Sequence, residues 1–117
     1  MYHVDANQAQ MAPVNAAGAV GVRIQWLVDD SRGAPCFAMR RFIIEPGGHT
    51  PRHQHDWEHE VYVLRGRGLL VTDEGEREIG PDMALLVEPN EVHQFLALPE
   101  SSLEFLCMVP NGPATVH

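Results

Sequence analysis

Lysine is absent from this chain of 117 residues, so all eight of its basic residues are arginine. This absence excludes chemistry that needs a lysine amine, including Schiff-base formation and the lysine of a phosphate-binding P-loop. Sixteen acidic residues give a formal net charge of −8. Because the sequence also has no basic run, we expect it to bind neither nucleic acid nor an anionic membrane surface.

Long apolar runs are also missing, since no stretch approaches the roughly 20 residues of a transmembrane helix. Residues 1–5 have neither a basic flank nor an apolar core, so they do not resemble a secretory signal and the expected location is the cytoplasm. Cysteine is scarce. Cys36 and Cys107 lack the spacing of a disulfide framework or a CxxC metal knuckle, and we expect two reduced, mostly buried thiols.

Short apolar runs separated by turn residues fill the chain from Val20 onward. No long segment keeps a helical period free of glycine and proline, and this pattern predicts an all-β sandwich or barrel. Residues 1–19 lack the pattern, so we expect them to form an N-terminal arm that does not carry the site. The remaining residues, 20–117, are enough for one domain with a single core.

Histidine is concentrated in one part of the sequence, because five of the seven histidines fall between residues 49 and 93. His53 and His55 are two apart, so on an extended strand their side chains leave from the same face. His59 and His93 each begin a later apolar run, from which both can face the same interior point. Four imidazoles converging inside a barrel would bind a divalent transition metal such as Zn, Cu, Ni, Fe or Mn.

These residues resemble the cupins, a family whose first motif runs Gly, five residues, His-x-His, three or four residues, Glu, six residues, Gly. In this sequence Gly47 is followed after five residues by His53 and His55. Three residues then lead to His59, and six more lead to Gly66. The spacing of the motif is kept, while a histidine replaces the usual glutamate.

Two departures from the family pattern need an interpretation. Glu60 is the competing carboxylate for the fourth ligand position, but it would point to the opposite strand face from His59, and the spacing to Gly66 favours His59. The second motif, a proline-containing turn and then histidine, is similar to residues 88–93. There Asn90 replaces the usual glycine, and asparagine also accepts a left-handed backbone.

The sequence is most similar to small single-domain cupins with a four-histidine manganese site, and the similarity extends over residues 20–110. It implies a double-stranded β-helix, the cupin jelly-roll barrel, and usually a homodimer. It also implies an internal metal with two coordination positions left for water, dioxygen or substrate. Manganese comes from the resemblance alone, because imidazoles suit several metals. The implied metal ligands are His53, His55, His59 and His93.

The last predicted strand offers a candidate substrate pocket. Phe105, Cys107 and Val109 share the strand face that lacks Glu104, so we expect them to wall an apolar pocket near the metal or simply to pack the core. His49 shares strand parity with the motif and is a candidate for the pocket rim. Three arginines could anchor a carboxylate, although pairing with acidic surface residues is their expected role: Arg40, Arg41 and Arg52.

The expected function follows from the ligand set. Neutral imidazoles leave the metal its full positive charge, which favours activation of dioxygen or chelation of an oxygen-rich anion. We therefore expect a dioxygenase-type oxidoreductase that acts on a small unsaturated or enolic compound. A non-catalytic metal-dependent small-molecule binding protein and a metal-assisted isomerase or lyase are the alternatives. A fourth histidine argues against a zinc hydrolase, which typically uses three protein ligands.

Overall fold

The computed structural model describes residues 1–113, and its regular structure there is nine β-strands and one turn of 3₁₀ helix, Asp30–Arg32. The prediction of an all-β fold is confirmed. None of the described residues forms a helix long and apolar enough to cross a membrane. The strands are β1 Ala12–Pro13, β2 Val20–Val28, β3 Phe37–His49, β4 His59–Gly66, β5 Gly68–Thr72, β6 Gly75–Ile79, β7 Ala84–Val87, β8 His93–Ala97 and β9 Leu103–Pro110.

All the strand pairs are antiparallel and belong to one curled sheet in the order β6-β5-β8-β3-β9-β4-β7, with β2 on β3 and β1 on β2. The long strand β3 connects the two halves of this sheet. Its first part, from Phe37 to Ile44, pairs with β9, whereas its last residue, His49, pairs with Leu96 of β8. The segment that follows β3 and carries the histidine motif therefore starts next to β8.

Strand β9 supplies one side of the core. Leu103, Phe105, Cys107 and Val109 are almost completely buried, and the residues between them are only partly buried. This alternation confirms the predicted inward face, since successive strand residues point to opposite sides. Burying a side chain such as Leu, Val or Phe stabilises a fold by about 1.5–3 kcal/mol, so this strand contributes strongly to the core.

The N-terminal arm is held along β2 by specific polar contacts. The buried side chain of Gln25 donates hydrogen bonds from Nε2 to the carbonyl oxygens of Ala6 at 2.7 Å and Ala9 at 3.0 Å. The hydroxyl of Tyr2 donates to the carbonyl oxygen of Leu27 at 2.9 Å. The arm therefore packs against the barrel wall.

Two turns have a left-handed backbone where the motifs predict it. Asn90 has a φ of 66°, which confirms that asparagine takes the conformation usually given to glycine. Gly66, the last glycine of the first motif, has a φ of 80° and lies directly against the chain at Ser102. A Cβ atom at Gly66 would collide with the carbonyl oxygen of Ser102, so this position requires glycine for both conformation and space.

We expect Gly66→Ala to lower the free energy of unfolding by more than about 2 kcal/mol, because it adds a backbone collision to the strain of a positive φ. Gly33→Ala is the matched control. Gly33 has a φ of 92° but no atom within 4 Å of an added Cβ, so its loss should be limited to roughly 1 kcal/mol of backbone strain. Urea denaturation of both variants measures the difference. Equal losses in the free energy of unfolding would show that the collision at Gly66 has no effect.

Candidate metal centre and cavity

Three chain segments bring the four motif histidines together. His53, in the connection between β3 and β4, forms an isolated two-hydrogen-bond bridge with His93 at the start of β8. The N–H of His53 donates to the carbonyl of His93 at 3.1 Å, and the N–H of His93 donates back at 2.9 Å. The N–H of Asn90 donates to the carbonyl of His55 at 2.6 Å. His59 follows as the first residue of β4.

The imidazole rings form one compact cluster. In five ring pairs among the four histidines, the centroids lie between 4.4 and 5.3 Å apart. His53, His55 and His93 each offer a ring nitrogen within 4.8 Å of the other two. The fourth ring joins through a contact of 2.7 Å between Nε2 of His59 and Nε2 of His55. Two nitrogens that bind one metal at about 2.1 Å lie roughly 3 Å apart. The Nε2 atoms of His55 and His59 are therefore about as far apart as two ligands of one metal.

The outer nitrogens of two rings fix which atoms can bind a metal. Nδ1 of His55 lies 2.9 Å from the carbonyl oxygen of Trp57, and Nδ1 of His93 lies 2.8 Å from that of Glu91. A carbonyl oxygen only accepts, so each Nδ1 must carry the proton and donate it. The lone pair is then on Nε2. This arrangement is typical of histidines that ligate a metal through one nitrogen and are oriented through the other.

The third outer contact involves a thiol. Nδ1 of His59 lies 2.9 Å from Sγ of Cys107, which also accepts a hydrogen bond from Nη2 of Arg40 at 3.0 Å. Burial raises the pKa of the Cys107 thiol, while the Arg40 charge acts in the opposite direction. Cys107 thus connects a cationic side chain to one ring of the cluster. Both thiols are free, but the expected burial holds only for Cys107, because Cys36 is exposed.

Three of the four imidazoles are held in the neutral form that a metal requires. Burial, assisted by the neighbouring rings of His93 and His55, lowers the pKa of His53 to about 4. Burial lowers the pKa of His59 far below its usual range, and the charge of Arg40 adds to this effect. Burial is also the main cause that lowers the pKa of His55. At neutral pH these rings are therefore free of the competing proton.

A cavity of about 220 Å³ adjoins the cluster inside the barrel. Phe105 and Cys107 line it, as does the ring of Phe42, which stacks on Phe105 at a centroid distance of 5.4 Å. Phe95, which also lines the cavity, packs on Phe105 at a centroid distance of 4.7 Å. Val109 lines a different depression, with Phe37 and Glu58. The structure therefore brings Phe105 and Cys107, but not Val109, to the cavity beside the histidines.

Two contributions to this cavity differ from the roles expected from the sequence. Val14 and Ala16 line it, although we expected residues 1–19 to lie away from the site. Arg40 lines it as well, although we expected that arginine to pair at the surface. Arg40 lies two residues from both Ala38 and Phe42 on β3, so the three side chains share one face of the strand. This shared face is the sequence signal that could have placed Arg40 inside the barrel.

The other candidate residues lie outside the cluster. Arg41 forms an ion pair with Glu104 at 2.7 Å and Arg52 with Asp73 at 2.9 Å, so the expectation of acidic partners is confirmed for these two. His49 contacts the carbonyl oxygen of Thr50 through Nδ1 at 3.2 Å. Glu60 is exposed on the outer side of β4, whereas the neighbouring His59 is buried.

The comparison with known proteins fits this geometry. The family model described as the cupin domain matches residues 40–109, which include all four clustered histidines. This chain belongs to the cupin family. The jelly-roll barrel expected for a cupin is therefore the fold of this protein, and within the histidine cluster His59 and His93 are buried, His55 is half-buried and His53 is exposed.

Three proteins illustrate what this chain is similar to. The polyketide cyclase RemF from Streptomyces resistomycificus is 35% identical, with a TM-score of 0.92, over 96% of this chain and 80% of that one. A cupin 2 domain-containing protein from Halorhodospira halophila is also 35% identical, with a TM-score of 0.74, over 79% and 66% of the two chains. The 1-methylthio-D-xylulose 5-phosphate methylsulfurylase of Rhodospirillum rubrum is 34% identical over 61% of this chain and 46% of its own length, so this chain spans about half of that relative.

Proposed function

We propose that this cupin is a metal-dependent enzyme that holds a divalent transition metal on His53, His55, His59 and His93. The observation that carries the proposal is the close approach of four imidazole rings beside a cavity, three of which offer nitrogens within 4.8 Å of one another. The donor set fits, since the lowered pKa values of His53, His55 and His59 keep those rings neutral, and His55 and His93 have their Nε2 lone pairs fixed by Nδ1 donation. Manganese is our candidate from the family resemblance, and imidazole also accepts Fe, Cu, Ni or Zn.

The reaction that we propose is the conversion of a small enolic or phenolic compound. A divalent cation in this position supplies Lewis acidity towards a substrate oxygen. The aromatic group of Phe42, Phe95 and Phe105 gives the cavity a flat apolar wall against which an unsaturated carbon skeleton can pack. These side chains orient the substrate and exclude water around it.

Ring closure or isomerisation of such an enol, without consumption of dioxygen, is our first candidate reaction. It is supported by the 35% identity to a polyketide cyclase over nearly the whole chain. A dioxygenase-type oxidation is the second candidate, and the all-imidazole donor set favours it because no carboxylate reduces the charge of the cation. Both reactions need the same substrate chemistry, so they are separated by the fate of dioxygen.

A homodimer is also part of the proposal. Strand β7 is at one end of the strand order, and its Leu86 is 55% exposed. Tyr62, on the neighbouring strand β4, and Met83, just before β7, are exposed as well. An apolar sheet edge of this kind is normally covered in a soluble protein.

Removing one ligand should reduce the bound metal. We expect His53→Ala, His55→Ala, His59→Ala and His93→Ala each to lower the metal content measured by elemental analysis. Chelation should lower the melting temperature of the wild-type protein, because the metal binds only the folded state; a metal at 100 times its Kd stabilises by about 2.7 kcal/mol. His49→Ala is the matched control and should keep its metal. If His59→Ala kept its full metal content and Glu60→Ala lost metal, the assignment of His59 as the fourth ligand would be wrong.

The reaction type can be read from oxygen uptake and product mass. Metal-loaded protein is incubated with a panel of enols, phenols and 1,3-diketones. Ring closure or isomerisation leaves dioxygen unchanged and gives a product of equal mass or one water lighter, whereas a dioxygenase consumes one dioxygen and adds both atoms.

Phe105→Ala should change the order of preferred substrates while the metal content stays constant, because it alters the cavity wall. Val109→Ala, on the same face of β9 but outside the cavity, is the control. Binding without any product would instead support a non-catalytic binding protein.

The homodimer can be tested by light scattering at micromolar concentration. We expect twice the mass of one chain for the wild-type protein and a monomer for Leu86→Glu, because a buried carboxylate without a partner is costly at an interface. Val20→Glu alters another exposed apolar residue away from β7 and should remain dimeric. A single-chain mass for the wild type would refute the dimer.

A further inference from the structure

Arg40 is a buried cation without an acidic partner. It is only 8% exposed, and none of the ion pairs among the described residues involves it. Its guanidinium carbon lies 5.5 Å from the ring centroid of Trp26 and 5.0 Å from that of Phe42. Nη2 donates to Sγ of Cys107, while the buried Nε has no hydrogen-bond partner. Burial of a charge in this state is costly unless a partner is supplied.

The adjacent arginine shows how unusual this environment is. Arg41 points to the other side of β3, where its Nη2 contacts Glu104 at 2.7 Å and its Nη1 contacts Gln25 at 3.2 Å. Two successive arginines on one strand therefore have opposite surroundings. One has a carboxylate, and the other faces an apolar cavity.

The described lining of the cavity offers Arg40 no carboxylate. It is shared by Arg40 and by three of the clustered histidines, and no aspartate or glutamate is found among the described residues that line it. A divalent cation on the neutral imidazoles would add two further positive charges. Electrostatic balance then requires that the ligand itself bring negative charge into the cavity.

We propose that Arg40 anchors the carboxylate of the cavity's ligand, which makes this a site for a small organic anion with an unsaturated or aromatic body. A guanidinium matches a carboxylate geometrically and pairs with it through two N–H groups. The cation–π contacts with Trp26 and Phe42 hold the guanidinium in place before the ligand arrives. The apolar wall at Phe105 accepts the body of the anion, so a fully hydrated inorganic ion is a poor match. This proposal names the class of substrate for the proposed metal site. Its metal part rests on the proposed function, whereas the role of Arg40 does not.

Calorimetric titration with two carboxylates and their uncharged amides tests the assignment. The probes are benzoate and trans-cinnamate, compared with benzamide and trans-cinnamamide, on the full chain as purified and after chelation. We expect the wild-type protein to prefer each carboxylate over its amide. Arg40→Met should weaken carboxylate binding by at least tenfold and leave amide binding within about twofold. Arg40→Lys should keep part of the preference, since the charge remains.

The controls separate a binding role from a folding role. Arg41→Met removes an arginine from the same strand and should bind both carboxylates as the wild type does. Without ligand, Arg40→Met should melt at a higher temperature than the wild type, because it removes a buried charge that lacks a counterion. A merely structural arginine would instead give a lower melting temperature when replaced.

The outcomes distinguish this inference from the proposed function. If the wild type binds neither carboxylate, or if Arg40→Met binds them as tightly as the wild type, the assignment of Arg40 is overturned whatever the metal content. If the histidine variants show that no metal is bound, the metal site fails. In that case the preference of the chelated protein for carboxylates still decides the role of Arg40.

Discussion

The site depends on the pair of backbone hydrogen bonds between His53 and His93. These bonds join the segment after β3 to the start of β8, two parts of the chain that are forty residues apart in sequence. Because these bonds fix the backbones of both residues directly opposite each other, the two side chains leave from the same face, and their rings lie 4.8 Å apart. The left-handed turn at Asn90 adds a third backbone bond, to His55. A rigid frame of main-chain contacts therefore positions the rings.

Strand parity explains what the sequence could predict and where it failed. Alternation along β9 correctly gave the buried face, and the motif spacing selected the histidines that cluster in the structure. Parity does not say which end of a barrel a residue lies near. Val109 is two residues beyond Cys107, or roughly 7 Å along the strand, and this distance moves it to another depression. The place of Val14 in the cavity lining could not be predicted, because the position of the arm depends on contacts that are distant in sequence, such as those of Gln25.

The hydrogen bonds around His59 form a directed chain when each donor is assigned. Nδ1 of His55 donates to a carbonyl, so Nε2 of His55 must accept from Nε2 of His59. Nδ1 of His59 then lacks a proton and accepts from the thiol of Cys107, whose sulfur accepts from Arg40. For His59 to ligate through Nε2, its proton has to move to Nδ1. Cys107 then becomes the acceptor, so the thiol allows both tautomers of the ring.

Charge is divided between the outside and the inside of this protein. The chain has a net charge of −8, yet its described acidic residues avoid the lining of the cavity, where the cation of Arg40 lies. At physiological ionic strength the Debye length is about 8 Å, so exposed carboxylates repel an approaching anion only weakly. Within the barrel the low dielectric strengthens the attraction to Arg40. An anion therefore gains most of its binding energy after it has left water, and this favours ligands whose apolar bodies reduce the cost of entry.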